Sequence, residues 1–240
     1  MKISIYLIIL SLIIVSCNNK IKYEVQNPSS LIIGDPLECG IENILIFPIG
    51  TSYNAKVYDK DLRTTNFLYF SKNSSSLNDR FAETEYVNEK ENDFDIRNIL
   101  FYNLINGNSY QLVSDTIHIL SFAIHKEFSK PLIFYRIVKQ DLNEDKKYNS
   151  FDPVMLYVSE LDGKNLKQIT AVDEHFIDYN YYPKSDKILI KTILDSDKNK
   201  EFTNSDETSF VEMIISNPSF GKDVFSKSLK DSLRTQISLN

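Results

Sequence analysis

The 240 residues carry 27 Lys and Arg against 33 Asp and Glu, a formal net charge of −6, with 42% hydrophobic residues and no Trp. An acidic chain without a basic stripe argues against a nucleic-acid partner and against electrostatic docking on anionic lipid head groups. The 2 Cys cannot build a disulfide framework, and the length suits one all-β domain or two small domains.

The chain opens on Met1-Lys2, followed by an apolar run from Ile3 to Val15 that only Ser4, Tyr6 and Ser11 interrupt. This run is shorter than the ~20 apolar residues a membrane span needs. It ends in Ile14-Val15-Ser16-Cys17, which resembles the lipobox of bacterial lipoprotein signal peptides. The resemblance implies a signal peptide over 1–16 and a lipidated Cys17. A membrane anchor through that lipid and a cell-envelope address follow. Asn18-Asn19 after the Cys, where an Asp would favour inner-membrane retention, implies the outer membrane, facing the periplasm. Residues 17–40 read as the lipidated Cys and a tether, and 41–240 as a single β-repeat domain. With Cys17 acylated, Cys39 has no disulfide partner. No His or basic residue stands beside it in Leu37-Glu38-Cys39-Gly40, so it reads as a small buried hydrophobe.

Beyond the tether, short apolar runs bounded by Asn, Asp, Ser, Gly or Pro predict strands. They fall at 44–47, 67–70, 99–102, 132–135, 155–158 and 188–190, and further strands are predicted at 117–124 and 176–182. Strands around 41–58 are assigned to a separate unit. Ser71 to Asp79 reads as a loop, and Arg80 to Asn92 as a short helix or an irregular excursion. The pattern repeats. Phe94-Asp95, an apolar run, a turn at Asn106-Gly107 and Tyr110-Gln111-Leu112 recur about 57 residues later. The second copy is Phe151-Asp152, an apolar run, Asp162-Gly163 and Leu166 to Thr170. Asn-Gly and Asp-Gly predict two-residue hairpins with positive φ at both central positions. A third copy spans Asp206 to Phe225, turning at Asn217 to Gly221. The apolar strand ahead of each hairpin is assigned to 67–70, 132–138 and 188–194.

Four strands per unit is propeller-blade arithmetic. The segment LYVSELDGKNLKQIT (156–170) resembles the outer hairpin of TolB-like, WD-like blades. Phe176 to Ile190, turning at Pro183-Lys184-Ser185-Asp186, resembles the inner pair. The resemblance implies an all-β fold of divergent propeller-type blade repeats, forming a small or incomplete β-propeller. A two-sheet β-sandwich is the competing architecture.

An acidic loop is duplicated at an offset of 54 residues. Asp141, Asn143, Asp145 and Asp152 in one copy match Asp195, Asp197, Asn199 and Asp206 in the other. Oxygen side chains at positions 1, 3, 5 and 12 follow the spacing of Ca²⁺ loops, since Ca²⁺ takes six to eight hard oxygen ligands. Position 6, normally Gly, is Lys146 or Lys200, and position 12, normally Glu, is the shorter Asp. A solvated loop held by Asx turns explains the same residues. His118 and His125 stand seven apart on one strand, so alternation sends them to opposite faces and predicts no metal site. The aromatic cluster Tyr179 to Tyr182 reads as packing.

Function is thus expected to be binding or scaffolding on TolB-like blades, with an envelope protein or glycan as partner and Ca²⁺ as cofactor. The rival is a glycan-directed envelope hydrolase that uses Asp141, Asp152, Asp195 or Asp206 as acid and base. The lipobox generates one direct test. Cys17→Ser should release the chain from the membrane fraction or leave the precursor uncleaved. Equal solubility and equal mass of wild type and variant would overturn the lipoprotein reading.

Overall fold

A computed structural model describes residues 31–52, 85–87, 94–115 and 117–238. The lipobox with Cys17, the predicted strand at 67–70 and the loop at 71–79 lie outside these residues. The described chain is all-β, with antiparallel strands throughout, one 3-10 turn and one short helix.

The strands form three successive antiparallel meanders. The first holds β1 (Leu31–Ile33) and β2 (Leu37–Glu38), both paired with β3 (Ile44–Ser52). β4 (Glu85–Val87) follows, and β3 pairs onward with β5 (Phe94–Asn103), which pairs with β6 (Ser109–Gln111). The second holds β7 (His118–His125), β8 (Leu132–Val138), β9 (Val154–Ser159) and β10 (Lys167–Gln168). The third holds β11 (Glu174–Tyr182), β12 (Lys187–Leu194), β13 (Glu207–Ile214) and β14 (Lys222–Asp223). One bridge, Ile96 to Ile119, joins the first two meanders into a single sheet, and β4 lies along β7. α1 (Lys227–Ser238) ends the described chain.

Several expectations need correction. β3 pairs with β5 ahead of the first hairpin, so the strand at 44–52 belongs to the first meander and not to a separate unit. The run from Arg80 to Asn92 contributes strand β4. Part of the predicted tether, 31–38, is paired sheet, and Cys39 is fully buried in the core. The hairpin turns are longer than two residues. Gly107 and Gly163 have positive φ, but Asn106 and Asp162 do not. The Gly163 N–H donates to the Glu160 carbonyl (2.9 Å) and the Glu160 N–H to the Lys164 carbonyl (3.0 Å), a loop that needs left-handed backbone at the glycine.

The middle meander organises the core. β8 and β9 are buried on both faces. Ile133, Tyr135, Ile137, Met155 and Tyr157 join Ile46, Phe94, Ile96, Ile99 and Phe101 of the first meander. Leu132, Phe134, Leu156 and Val158 on the opposite face join Phe176, Ile188, Ile190, Val211 and Met213 of the third. Burial on both faces is why these strands read as continuous apolar runs rather than as alternation. Tyr135 is wholly enclosed, and its hydroxyl meets the Ser159 hydroxyl at 2.7 Å.

Each seam is closed by the same device. Tyr110 in β6 donates its hydroxyl to the Asp162 carbonyl in the next meander's turn (2.8 Å). Lys167 in β10 donates to the Pro218 carbonyl in the third meander's turn (2.7 Å). Gly163 sits against the Phe101 ring, where an added Cβ would lie 2.2 Å from a ring carbon, at φ +76°. Gly163→Ala should therefore cost more than about 2 kcal/mol, from left-handed backbone plus a clash in the first core. Urea unfolding checks this, and a loss below about 0.5 kcal/mol would mean that the turn does not dock as described.

Candidate functional site: two acidic loops and their histidine ties

Each acidic loop joins the second strand of a meander to the third. One runs from β8 to β9 and the other from β12 to β13. Their hydrogen bonds are duplicated residue for residue. Asp141 accepts the N–H groups of Asp145 (3.1 Å) and Lys146 (2.8 Å), as Asp195 accepts those of Asn199 (3.0 Å) and Lys200 (3.0 Å). Asn143 and Asp197 accept the same position-5 N–H groups at 3.0 and 3.1 Å. Asp145 and Asn199 each accept the N–H two residues on, at 2.8 Å. These are nested Asx turns.

The position-12 carboxylates close the loops. Asp152, fully buried, takes the N–H of Leu142 (2.9 Å) and of Asn149 (3.1 Å). Asp206 takes the N–H of Ser196 (2.9 Å) and of Thr203 (2.8 Å), and both of their hydroxyls as well. The shorter Asp at this position thus spans the loop from one end to the other. Closure bends four non-glycine residues into left-handed backbone: Glu144, Lys146, Lys198 and Lys200, at φ 61–68°. Each costs on the order of 1 kcal/mol or more, which the Asx turns must offset.

Chemistry differs between the copies. Burial pushes the Asp152 carboxyl up, against the pull of the Asn149 and Leu142 N–H groups. Burial acts the same way at Asp206, but the Thr203 and Ser196 N–H groups and their hydroxyls outweigh it and hold that carboxyl below its ordinary value. Leu142 and Asn149 offer no such hydroxyls. Asp195, Asp197 and Asp206 bring one oxygen each within 4.8 Å of the others, and this is the one such grouping found among the described residues. Glu144 and Lys200 meet at 2.5 Å, which places the two loops side by side. Both side chains are exposed, so the pair adds little energy.

The histidines occupy places that alternation alone does not predict. β7 carries an extra residue between Ile119 and Ser121, so His118 and His125 pair with Val138 and Leu132, six apart on β8. The bulge therefore puts both imidazoles on one face, not on opposite faces. His118 and His175 are equivalents, 57 residues apart. His118 stacks on Tyr148 and His175 packs on Phe202, the aromatic at position 8 of each acidic loop. Each also reaches back to the preceding meander. His118 Nδ1 lies 3.3 Å from Asp95 while Arg97 donates to Nε2, and His175 Nδ1 donates to the Asp152 carbonyl at 2.9 Å. Burial and the nearby Arg136 charge push His175 down to about 3, so it stays neutral. His125 bridges Glu127 (2.7 Å) and the Tyr179 hydroxyl (2.8 Å), tying β7 to β11. The repeat offset shared with Phe94-Asp95 and Phe151-Asp152 was the signal for the first two ties.

Two shallow depressions open on the described surface, about 490 Å³ along Leu100 and residues 109–114 and about 440 Å³ beside Ile41, Asn103 and Asp162. Neither is lined by Asp141, Asp152, Asp195 or Asp206, the acid–base candidates. Comparison with protein-family models, curated proteins and solved structures finds no match.

The unequal carboxylates generate a pH test. A carboxyl held down in the folded state adds stability above its unfolded value, and the gain is lost as pH falls through the folded value. Asp206→Asn should cost about 1 kcal/mol at pH 7, and the difference from wild type should close as pH falls below the ordinary 3.8. Asp152 is shifted the other way, so its ionisation adds no such acid-labile gain. Denaturant unfolding across pH measures both, and a constant Asp206→Asn cost down to low pH would refute the assignment.

Proposed function

We propose that the chain is a lipid-anchored cell-envelope protein that binds or scaffolds, with three TolB-like blades as a rigid frame for two Ca²⁺-ordered loops. The observation that carries this reading is the duplicated loop. Two segments that differ at most intervening positions close through the same Asx turns and the same position-12 aspartate. In the second loop three carboxylates converge within 4.8 Å. The donor set fits a hard cation that prefers carboxylate oxygen. Each oxygen of Asp195 and Asp197 accepts one N–H and keeps a further lone pair for a metal. Each Asp206 oxygen accepts an N–H and a hydroxyl, and the hydroxyl of Ser196 or Thr203 would turn away to admit the ion.

Asp195, Asp197, Asn199 and Asp206 would hold the ion in one loop, and Asp141, Asn143, Asp145 and Asp152 in the other. Bound Ca²⁺ would supply positive charge that screens converging carboxylates and stiffens the loop. Lys146 and Lys200 at position 6 and the short Asp at position 12 weaken affinity to about 10⁻⁴–10⁻³ M, the range of extracellular modules. The blade reading is supported by the two four-stranded meanders β7–β10 and β11–β14 and by the matching seams at Tyr110 and Lys167. The envelope address rests on the Cys17 lipobox, and a repeat frame with function in its loops suits binding more than chemistry.

Thermal unfolding tests the calcium part. A tenfold excess of Ca²⁺ over Kd should add about 1.4 kcal/mol for each loop that binds, which is about 3–5 °C in Tm per loop at this chain length. Asp141→Ala/Asp195→Ala, which strips one carboxylate from each loop, should remove most of that shift. No shift in wild type, or an equal shift in the variant, would leave the loops as solvated Asx turns.

A further inference from the structure

The two ends of the meander array are not alike. Register makes the comparison direct. Lys187, Leu189, Phe210 and Glu212 in the third meander stand where Leu132, Phe134, Leu156 and Val158 stand in the second. In the second meander those four side chains pack the core shared with the third. In the third they face outward, and two of the four have become a Lys187–Glu212 ion pair at 2.7 Å. Lys191 and Asp178 add charge to the same face. This is the polar outer face expected of a terminal repeat.

The first meander has no such change. Leu45, Phe47, Ile49 and Leu100 stand where Ile133, Tyr135, Ile137 and Tyr157 stand in the second. Those counterparts are 0–6% exposed because the first meander covers them. Leu45, Phe47, Ile49 and Leu100 face away from the core and are only partly buried. Beside them on the same sheet, Leu31 and Ile33 are 69% and 58% exposed. Those positions thus keep the apolar character of an interior seam, although Asn98 stands where Met155 stands and Glu38 lies opposite Leu45.

We infer that this outward face of the first meander is a self-association surface, occupied by the same face of a second copy of the chain. Charge selects this occupant. Head-to-tail stacking on the third meander would bury Lys187, Lys191 and Glu212 against apolar side chains, which is costly. Two copies of the apolar face meet without like charges at the centre: Glu38, opposite Leu45, stands on the edge strand β2, and Asp95 at the rim is neutralised by Arg97 (2.6 Å). A two-fold, self-complementary contact also closes, whereas head-to-tail contacts propagate. The sheet face measures about 30 Å along β3 by about 15 Å across. That is toward the small end for specific association, so pairing depends on concentration. The inference needs neither the lipid nor Ca²⁺.

Thiol crosslinking of the full chain in intact cells tests it. Cys39 is buried, so the unsubstituted chain is the background control. Leu31→Cys and Ile33→Cys treated with a bis-maleimide should each give a band at twice the chain's mass. Thr208→Cys, on the opposite end, should not. Adding Leu100→Glu should cut the double-mass band by at least about tenfold, and circular dichroism of that variant must match wild type. Adding Phe47→Glu serves as the second disruptor. The inference is overturned by no double-mass band at either position, by an equal band from Thr208→Cys, or by a band that survives both disruptors. A band at any other mass names a different partner and overturns it as well.

Discussion

The fold depends on one constraint: the second meander is buried on both faces. β8 and β9 offer apolar side chains to two cores at once, and neither face can be left in water. β8 and β9 therefore need a sheet on each side. The first and third meanders supply those sheets, and the chain between them is short because the neighbours in sequence are neighbours in space. Tyr135 and Ile133 on one face and Phe134 and Leu156 on the other make the middle repeat the least tolerant of substitution.

Around that core, direction-specific contacts fix how one meander meets the next. Tyr110 and Lys167, equivalent in the repeat, each donate to a carbonyl of the following turn. His118 and His175 reach backward across the same seams, and His125 ties β7 to Tyr179. Apolar burial is non-directional. These polar contacts supply the register that burial leaves open. His175 is held neutral by burial, so its seam does not take up a proton as the surroundings acidify.

The acidic loops are also part of that frame. Asp152 closes its own loop through its carboxylate and anchors the third meander through its carbonyl to His175. Tyr148 and Phe202 pack on the two equivalent histidines. A change in loop conformation, including one set by a bound cation, is therefore felt at the seams. This coupling is the physical link between the proposed cation sites and a stiff scaffold.

The strand positions of the second and third meanders, the repeat, and the duplication of Asp141 to Asp152 in Asp195 to Asp206 were legible in the sequence, whereas β1, β2 and β4 were not. Those features are written in local composition: β-branched and aromatic runs, Gly turns, and a fixed offset. The hairpin pairing of 99–103 with 109–111 and of 154–159 with 167–168 follows from that local code. The histidine placement was not legible, because one extra residue in β7 reverses the alternation and a bulge has no composition of its own. Nor was the partner of β5. The long stretch between β3 and β5 hides a pairing that only the sheet reveals. By itself the sequence determined the strands of the second and third meanders and which oxygens gather in each loop, since both are short-range matters of propensity and spacing. Tertiary structure alone decided which face of each strand is covered, and so left one end of the array charged and the other apolar. Coverage depends on neighbours that are distant along the chain; the continuous apolar runs of β8 and β9 record that both faces are covered, but not by which strands.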